Sequence, residues 1–255
     1  MKKWLLSCLI MAGGASAVAE SAVSEGRIFL KRVENNYANN VRIRFENGTT
    51  GRYYNFNSKS TKERLFFGDF NAPIEYYYDP SSEASPDGPL GLRIYPDSVG
   101  QYVLEVKRFL NFRDVNRVVE DEFPIISIPW EASLSAEQED SVNRRNRTIR
   151  AQQVEAKTKR YRVGSETVSI DSTLFESLHK AVVRVIDGYR SDGDLAIVLD
   201  GYAATLRAVV DYDVWTLNVH CPTGAMEQFS DLFRRMIADV EAGTFDEAKY
   251  IEALD

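Results

Sequence analysis

The sequence predicts an α+β protein, and three observations carry that class. From Arg27 to Trp130, apolar and polar residues alternate with a period of two and turn residues separate the segments, the pattern of antiparallel strands. Ser135 to Arg160 holds no Gly and no Pro and is dense in charge, the pattern of an exposed helix. The last third sets strand-like segments between stretches of helical spacing, the layout of helices packed on one sheet face. The expected organisation is a signal peptide over 1–19, an N-terminal antiparallel all-β lobe over 20–133, a linking charged helix over 134–162, and a C-terminal lobe over 163–255 in the order α-β-β-β-α-α, with a three-stranded meander.

The first segment has the composition of an export signal. Lys2 and Lys3 form a positive head, Trp4 to Met11 is apolar apart from Ser7, and small residues follow Gly13-Gly14. Cleavage fits best after Ala19, with Ala17 and Ala19 at the two small-residue positions. A bilayer core takes about 20 apolar residues, and this run falls well short, so a retained anchor is not expected. Cys8 lies inside the apolar run rather than at its end, which argues against a lipoprotein. The short, lysine-headed leader reads as bacterial, and the mature chain as periplasmic or secreted and not membrane-spanning. Cleavage removes two lysines and no acid and takes the net charge from −7 to −9. Such a chain has no general attraction to nucleic acid. It also removes Cys8 and leaves Cys221 without a partner for an intrachain disulfide.

In the β half, Val41, Ile43 and Phe45 alternate toward the Asn47-Gly48 turn, with Tyr54 and Phe56 on the partner strand. Further strands are expected at Arg64–Phe70, Ile74–Tyr78, Leu92–Tyr95, Tyr102–Phe109 and Pro124–Trp130, around a Pro, Gly and Ser loop from Asp79 to Gly91. In the linking helix, acids come first and bases last, complementing the dipole, and Ser135 with Gln138 fits a capping box. Leu174, Leu178, Ala181, Val182, Val185 and Ile186 then repeat at helical spacing up to Gly188. Leu195, Ile197 and Leu199 lead into an Asp200-Gly201 hairpin turn, expected to pair Leu199 with Tyr202, Ile197 with Ala204 and Leu195 with Leu206. The same face continues through Ala208 and Val210 and, after a loop at Asp211 to Val214, through Trp215, Leu217, Val219 and Cys221. A helix is expected from Ala225 to Ala242, capped by Thr223 and closed by Gly243, and a second capping box at Thr244 to Glu247.

The block from Asp200-Gly201-Tyr202 through Trp215 to His220-Cys221-Pro222, with Gly91–Ile94 and Tyr102–Lys107, resembles a group of uncharacterised exported bacterial proteins of about this length. The resemblance implies a bacterial envelope protein and transfers no activity and no functional residue.

Candidate chemistry is sparse. Cys221 beside His220 could suggest a thiol nucleophile, but strand neighbours point to opposite faces. His179 lies off the apolar stripe of its helix. Asp187, Asp192 and Asp194 lack the spacing of a calcium loop, and two histidines with one cysteine make no zinc set. No catalytic residue, metal ligand or cofactor is assigned. Two features point to binding. The open meander face is expected to present Thr205, Arg207, Thr216, Asn218 and His220 together, with Arg207 opposite Asn218 and Thr205 opposite His220. Tyr76, Tyr77 and Tyr78 fall on both faces of one strand, so an exposed tyrosine surface is expected. The expected function is an exported, non-catalytic binding protein of the envelope, with a protein or a glycan as partner. The alternative is a carboxylate-dependent hydrolase of cell-wall or polysaccharide substrates.

Overall fold

A computed structural model describes the backbone of residues 29–35, 40–44 and 50–54, and residues 59–80, 88–129, 131, 133–189, 201–210 and 213–254. The segment 1–19, expected to be a signal peptide, and the stretch Leu195–Leu199 lie outside the described residues. The chain is α+β. Its elements are β1 (Phe29–Asn35), β2 (Asn40–Arg44), β3 (Thr50–Tyr54), α1 (Thr61–Phe67), β4 (Ile74–Pro80), β5 (Leu90–Pro96), β6 (Tyr102–Phe109), α2 (Phe112–Glu122), α3 (Ala136–Arg160), β7 (Val163–Ile170), α4 (Ser172–Gly188), β8 (Tyr202–Val210), β9 (Asp213–His220), α5 (Gly224–Glu241) and α6 (Glu247–Glu252).

The strands form one antiparallel sheet in the order β3-β2-β1-β9-β8-β4-β5-β6-β7. The expected all-β and α+β lobes therefore share a sheet. β4, β5 and β6 from the first half stand between β8 and β7 from the second, so residue 133 divides the sequence but not the sheet.

One face of the sheet is apolar on β4, β5, β6, β8 and β9. Ile74, Tyr76 and Tyr78, Leu90, Leu92 and Ile94, Leu104 and Val106, Ala204, Leu206 and Ala208, and Leu217 and Val219 pack against α4 and α5. The stripes that build those helices were visible in sequence: Leu174, Leu178, Val182 and Ile186 on α4, and Leu232, Phe233, Met236, Ile237 and Val240 on α5. α6 closes this layer with Tyr250, whose hydroxyl donates to Asp239 at 2.5 Å. Its cap is Asp246, accepting from Ala248 N–H, rather than Thr244.

The other face carries α1, where a strand was expected. Ser60 accepts from Glu63 N–H and Glu63 accepts from Ser60 N–H, a complete capping box. Gly68, at φ +66, ends the helix. Phe66 and Phe67 then lie on the sheet with Tyr77, Phe109 and Phe112, so helices cover both faces rather than one. α2, unanticipated, follows β6. Pro124–Trp130 was expected as a strand, but residues 124–129 have no regular structure and run beside α3. Asn146 of α3 clamps them, accepting from the N–H of Ile126 and donating to its carbonyl, both at 2.9 Å. Gln153 donates to Phe123 O at 2.7 Å. α3 is 25 residues long, starts at the expected Ser135–Gln138 capping box, and buries only Gln153.

Three local expectations change. Both edges of β8 are taken, by β4 (Tyr76↔Leu206, Tyr78↔Ala204) and by β9, so the place expected for Leu195–Leu199 is filled by β4. Val210 pairs with Asp213, which shortens the β8–β9 connection to two residues and shifts the register: Arg207 faces Thr216, Thr205 faces Asn218, and Ala203 faces His220. Cys221 follows the end of β9 at φ +49 and is half-buried, so strand parity no longer places it in the core.

Candidate functional site

The residues expected to form an exposed patch do share a face, and that face is roofed. The register aligns Thr216, Arg207, Glu75, Arg93, Glu105 and Thr167 in one row across β9, β8, β4, β5, β6 and β7, with charges alternating from Arg207 to Glu105. α1 lies over the row. Arg207, 1% exposed, meets Glu63 of α1 at 2.6 Å and Glu75 at 3.6 Å. Lys59 meets Glu75 at 3.0 Å and donates to Phe70 O at 2.6 Å. Burial pushes the Lys59 ammonium below its usual range, against the attraction of Glu75. Farther along, Glu105 bonds Arg93 and accepts from Ser165 at 2.8 Å. Burial alone would raise the Glu105 carboxyl, but the Ser165 hydroxyl, Arg93 and Lys107 hold it low.

These neighbours remove most of the expected binding residues from reach. Thr205 and Thr216 are buried, and Asn218 is half-buried and donates to Thr205 Oγ1 at 2.7 Å. Only His220 is exposed. Tyr76, Tyr77 and Tyr78 are all buried, because α5 covers one face of β4 and α1 the other. Tyr76 bonds Ser230 of α5 at 2.7 Å and stacks on Phe233. Burial raises the hydroxyl pKa of both Tyr76 and Tyr77. Among the described residues, neither the open tyrosine surface nor the arginine patch expected on this sheet is present. His179, expected as a surface residue, is half-buried, with Nε2 2.8 Å from Val209 O, and ties α4 to β8.

An open concavity lies elsewhere. A cleft of about 730 Å3 lies between α1 and α3, within the range of small binding pockets. Leu65 of α1, Ile125 after α2, and Val154 and Tyr161 on and after α3 supply its apolar lining. Lys62 pairs with Asp79 at 2.8 Å and Lys157 with Glu120 at 3.1 Å, all four lining the cleft. Arg150 also lines it and has no carboxylate partner among the described residues. Beside the cleft, aliphatic side chains accumulate. Of the eight large apolar residues exposed among those described, Val118, Ile125, Ile128, Leu134 and Val154 belong to α2, α3 and the segment joining them.

The sequence carries one local signal for this site. Ser60-Thr61-Lys62-Glu63 before Leu65-Phe66-Phe67 is a capping box ahead of an apolar run, which specifies a helix and hence one wall of the cleft. The other wall depends on α3 folding back beside α1, a contact that no local pattern encodes.

Fold and site together define an α+β protein whose concave surface is formed by helices lying over one face of an antiparallel sheet. Comparison with known protein families, characterised proteins and solved structures finds no match for this chain.

Proposed function

We propose that the protein is an exported, non-catalytic binding protein of the bacterial envelope, and that its partner is another protein, docking on the cleft and the adjoining surface of α2 and α3. The observation that carries this reading is the gathering of exposed aliphatic side chains around a cleft whose rim holds both signs of charge. Apolar centres with polar rims are the anatomy of protein interfaces. A glycan site would favour exposed aromatic platforms, and Tyr76, Tyr77 and Tyr78, which were expected to form one, are buried. The export reading rests on the leader described above.

A photo-crosslinking amino acid placed at Ile125 or Val154 of the full-length protein in its native host tests the proposal. Both positions should yield one discrete protein adduct. Lys180, exposed on α4 across the sheet, should yield none, and Val154→Arg should abolish the adduct formed from Ile125. Adducts that are absent, or equally strong from Lys180, would reject the cleft as the docking site.

A further inference from the structure

β7 is the last strand of the sheet and has β6 on one side only. Its backbone polarity can be read from the register. Leu110 N–H donates to the carbonyl of Arg162 at 2.8 Å, one step beyond the Phe109↔Val163 pair. Bonded and non-bonded pairs alternate in an antiparallel ladder. Gly164, Glu166, Val168 and Ile170 therefore turn their N–H and C=O groups toward β6, and Val163, Ser165, Thr167 and Ser169 turn theirs outward. Ser165, Thr167 and Ser169 are exposed, and no described residue bonds their N–H groups.

Open edges of this kind are ordinarily guarded by charged side chains, lysine above all, by proline, a bulge or shortness. Of these β7 carries only the single charge of Glu166. It pairs with β6 over all eight residues without a bulge, and Val163–Ile170 contains no Pro, Lys or Arg. The opposite edge strand, β3, has five residues and includes Arg52. β7 is also held firmly from behind, because Ser165 bonds buried Glu105. An edge fixed in the extended state loses little entropy when a strand is added to it.

We propose that β7 is a self-association edge, pairing antiparallel with β7 of a second copy of this chain about a two-fold axis at Thr167. The strand is self-complementary in that register. Thr167 faces its own copy, and Ser165 faces Ser169 of the partner subunit. Three facing pairs supply about six ladder bonds. Small hydroxyl side chains meet at each of them, a favourable cross-strand combination. The strand's one charge, Glu166, falls opposite Val168 of the partner subunit rather than opposite another carboxylate. Leu110, which is 60% exposed, lies over Gly164 on the same sheet face and adds an apolar flank. An eight-residue edge buries less than a standard interface, so the dimer forms reversibly and depends on concentration.

Sedimentation equilibrium of the full mature chain tests this. A monomer–dimer equilibrium is expected, weakened at least about tenfold by Thr167→Pro and by Ser169→Lys. Proline at 167 removes only an outward donor and leaves the β6 ladder whole, so its circular dichroism should match the unmodified protein. The register has its own readout. Thr167→Cys should form an intersubunit disulfide on mild oxidation, whereas Glu166→Cys should not. A monomer at high micromolar concentration, a dimer indifferent to both substitutions, or crosslinking as strong from position 166 would overturn the proposal.

Discussion

Under α1, the guanidinium of Arg207 sits between Glu63 and Glu75, while Lys59 reaches Glu75 from the other side. Two cations and two carboxylates thus share one enclosed space. Taking charges out of water is expensive, and their mutual attraction offsets that cost only while every partner stays in place. Arg207→Met should therefore destabilise the fold by about 3 kcal/mol, because it leaves the buried Glu63 carboxylate without its cation. Adding Glu63→Gln to Arg207→Met should recover part of the loss, since a neutral amide tolerates burial better and can still accept from Ser60 N–H. Urea unfolding of the two single variants and the double variant measures the coupling, and additive losses would contradict this account. The sequence disclosed half of this residue's environment. Period-two parity put Arg207, Thr205 and Thr216 on the face opposite Leu206 and Leu217, as found. Exposure is not legible in the same way, because parity says which face a side chain takes, not whether a distant helix covers that face. The register differs from expectation for a similar reason: the β8–β9 loop has two residues rather than four, and each face keeps its members while their partners shift.

Among the elements, α1 has the most consequences for its length. Seven residues cannot hold a helix in isolation. The capping box, the Glu63–Arg207 pair and the seating of Phe66 and Phe67 hold it in place. That seat depends on Gly91 of β5, where a methyl group would come within 2.7 Å of the Phe66 ring and 2.8 Å of the Phe67 ring. Gly91→Ala should push α1 off the sheet at a cost of about 1–3 kcal/mol, which for a chain of this size lowers Tm by roughly 2–4 °C per kcal/mol. Hydrogen exchange should accelerate at Arg64 to Gly68 while Leu206 and its neighbours on β8 stay protected. Uniform acceleration across the sheet would show instead that α1 does not move as a unit. β4, β6, α3 and α4 were legible in sequence because their signals are local: short apolar and aromatic runs between turn residues in β4 and β6, a charged run free of Gly and Pro behind a capping box in α3, and apolar residues at helical spacing in α4. Leu65-Phe66-Phe67 of α1 suits a buried strand as well as a helix, and a short apolar run does not separate the two by period. β7 is faint in sequence for the opposite reason. Its outward face is Ser and Thr, so the alternation that marks half-buried strands is faint.

At the scale of the molecule, the decisive fact is that the two halves of the chain interleave. Composition changes sharply near residue 134, and in sequence such a change reads as a domain boundary. Yet β8 bonds β4 across a separation of more than a hundred residues, and β7 bonds β6 on the far side of the same three strands. Strand order is a property of long-range pairing, and hydrophobic patterning fixes faces without fixing neighbours. Cutting the chain at 133/134 tests the arrangement directly. A fragment 20–133 would leave both β4 and β6 with an unpaired edge and strip α4 and α5 from the apolar face formed by Tyr76, Leu92 and Leu104. A fragment 134–255 would hold α4 and α5 over β8 and β9 alone, with β7 separated from them by the missing strands. Neither fragment should show a cooperative thermal transition by circular dichroism, whereas mixing the two should restore one. A cooperative melt from either fragment alone would mean that a half-sheet can close its own core, contrary to a sheet whose central strands are shared. The same interleaving should make refolding slow, because the β4–β8 pairing closes a long loop before its contacts repay that cost.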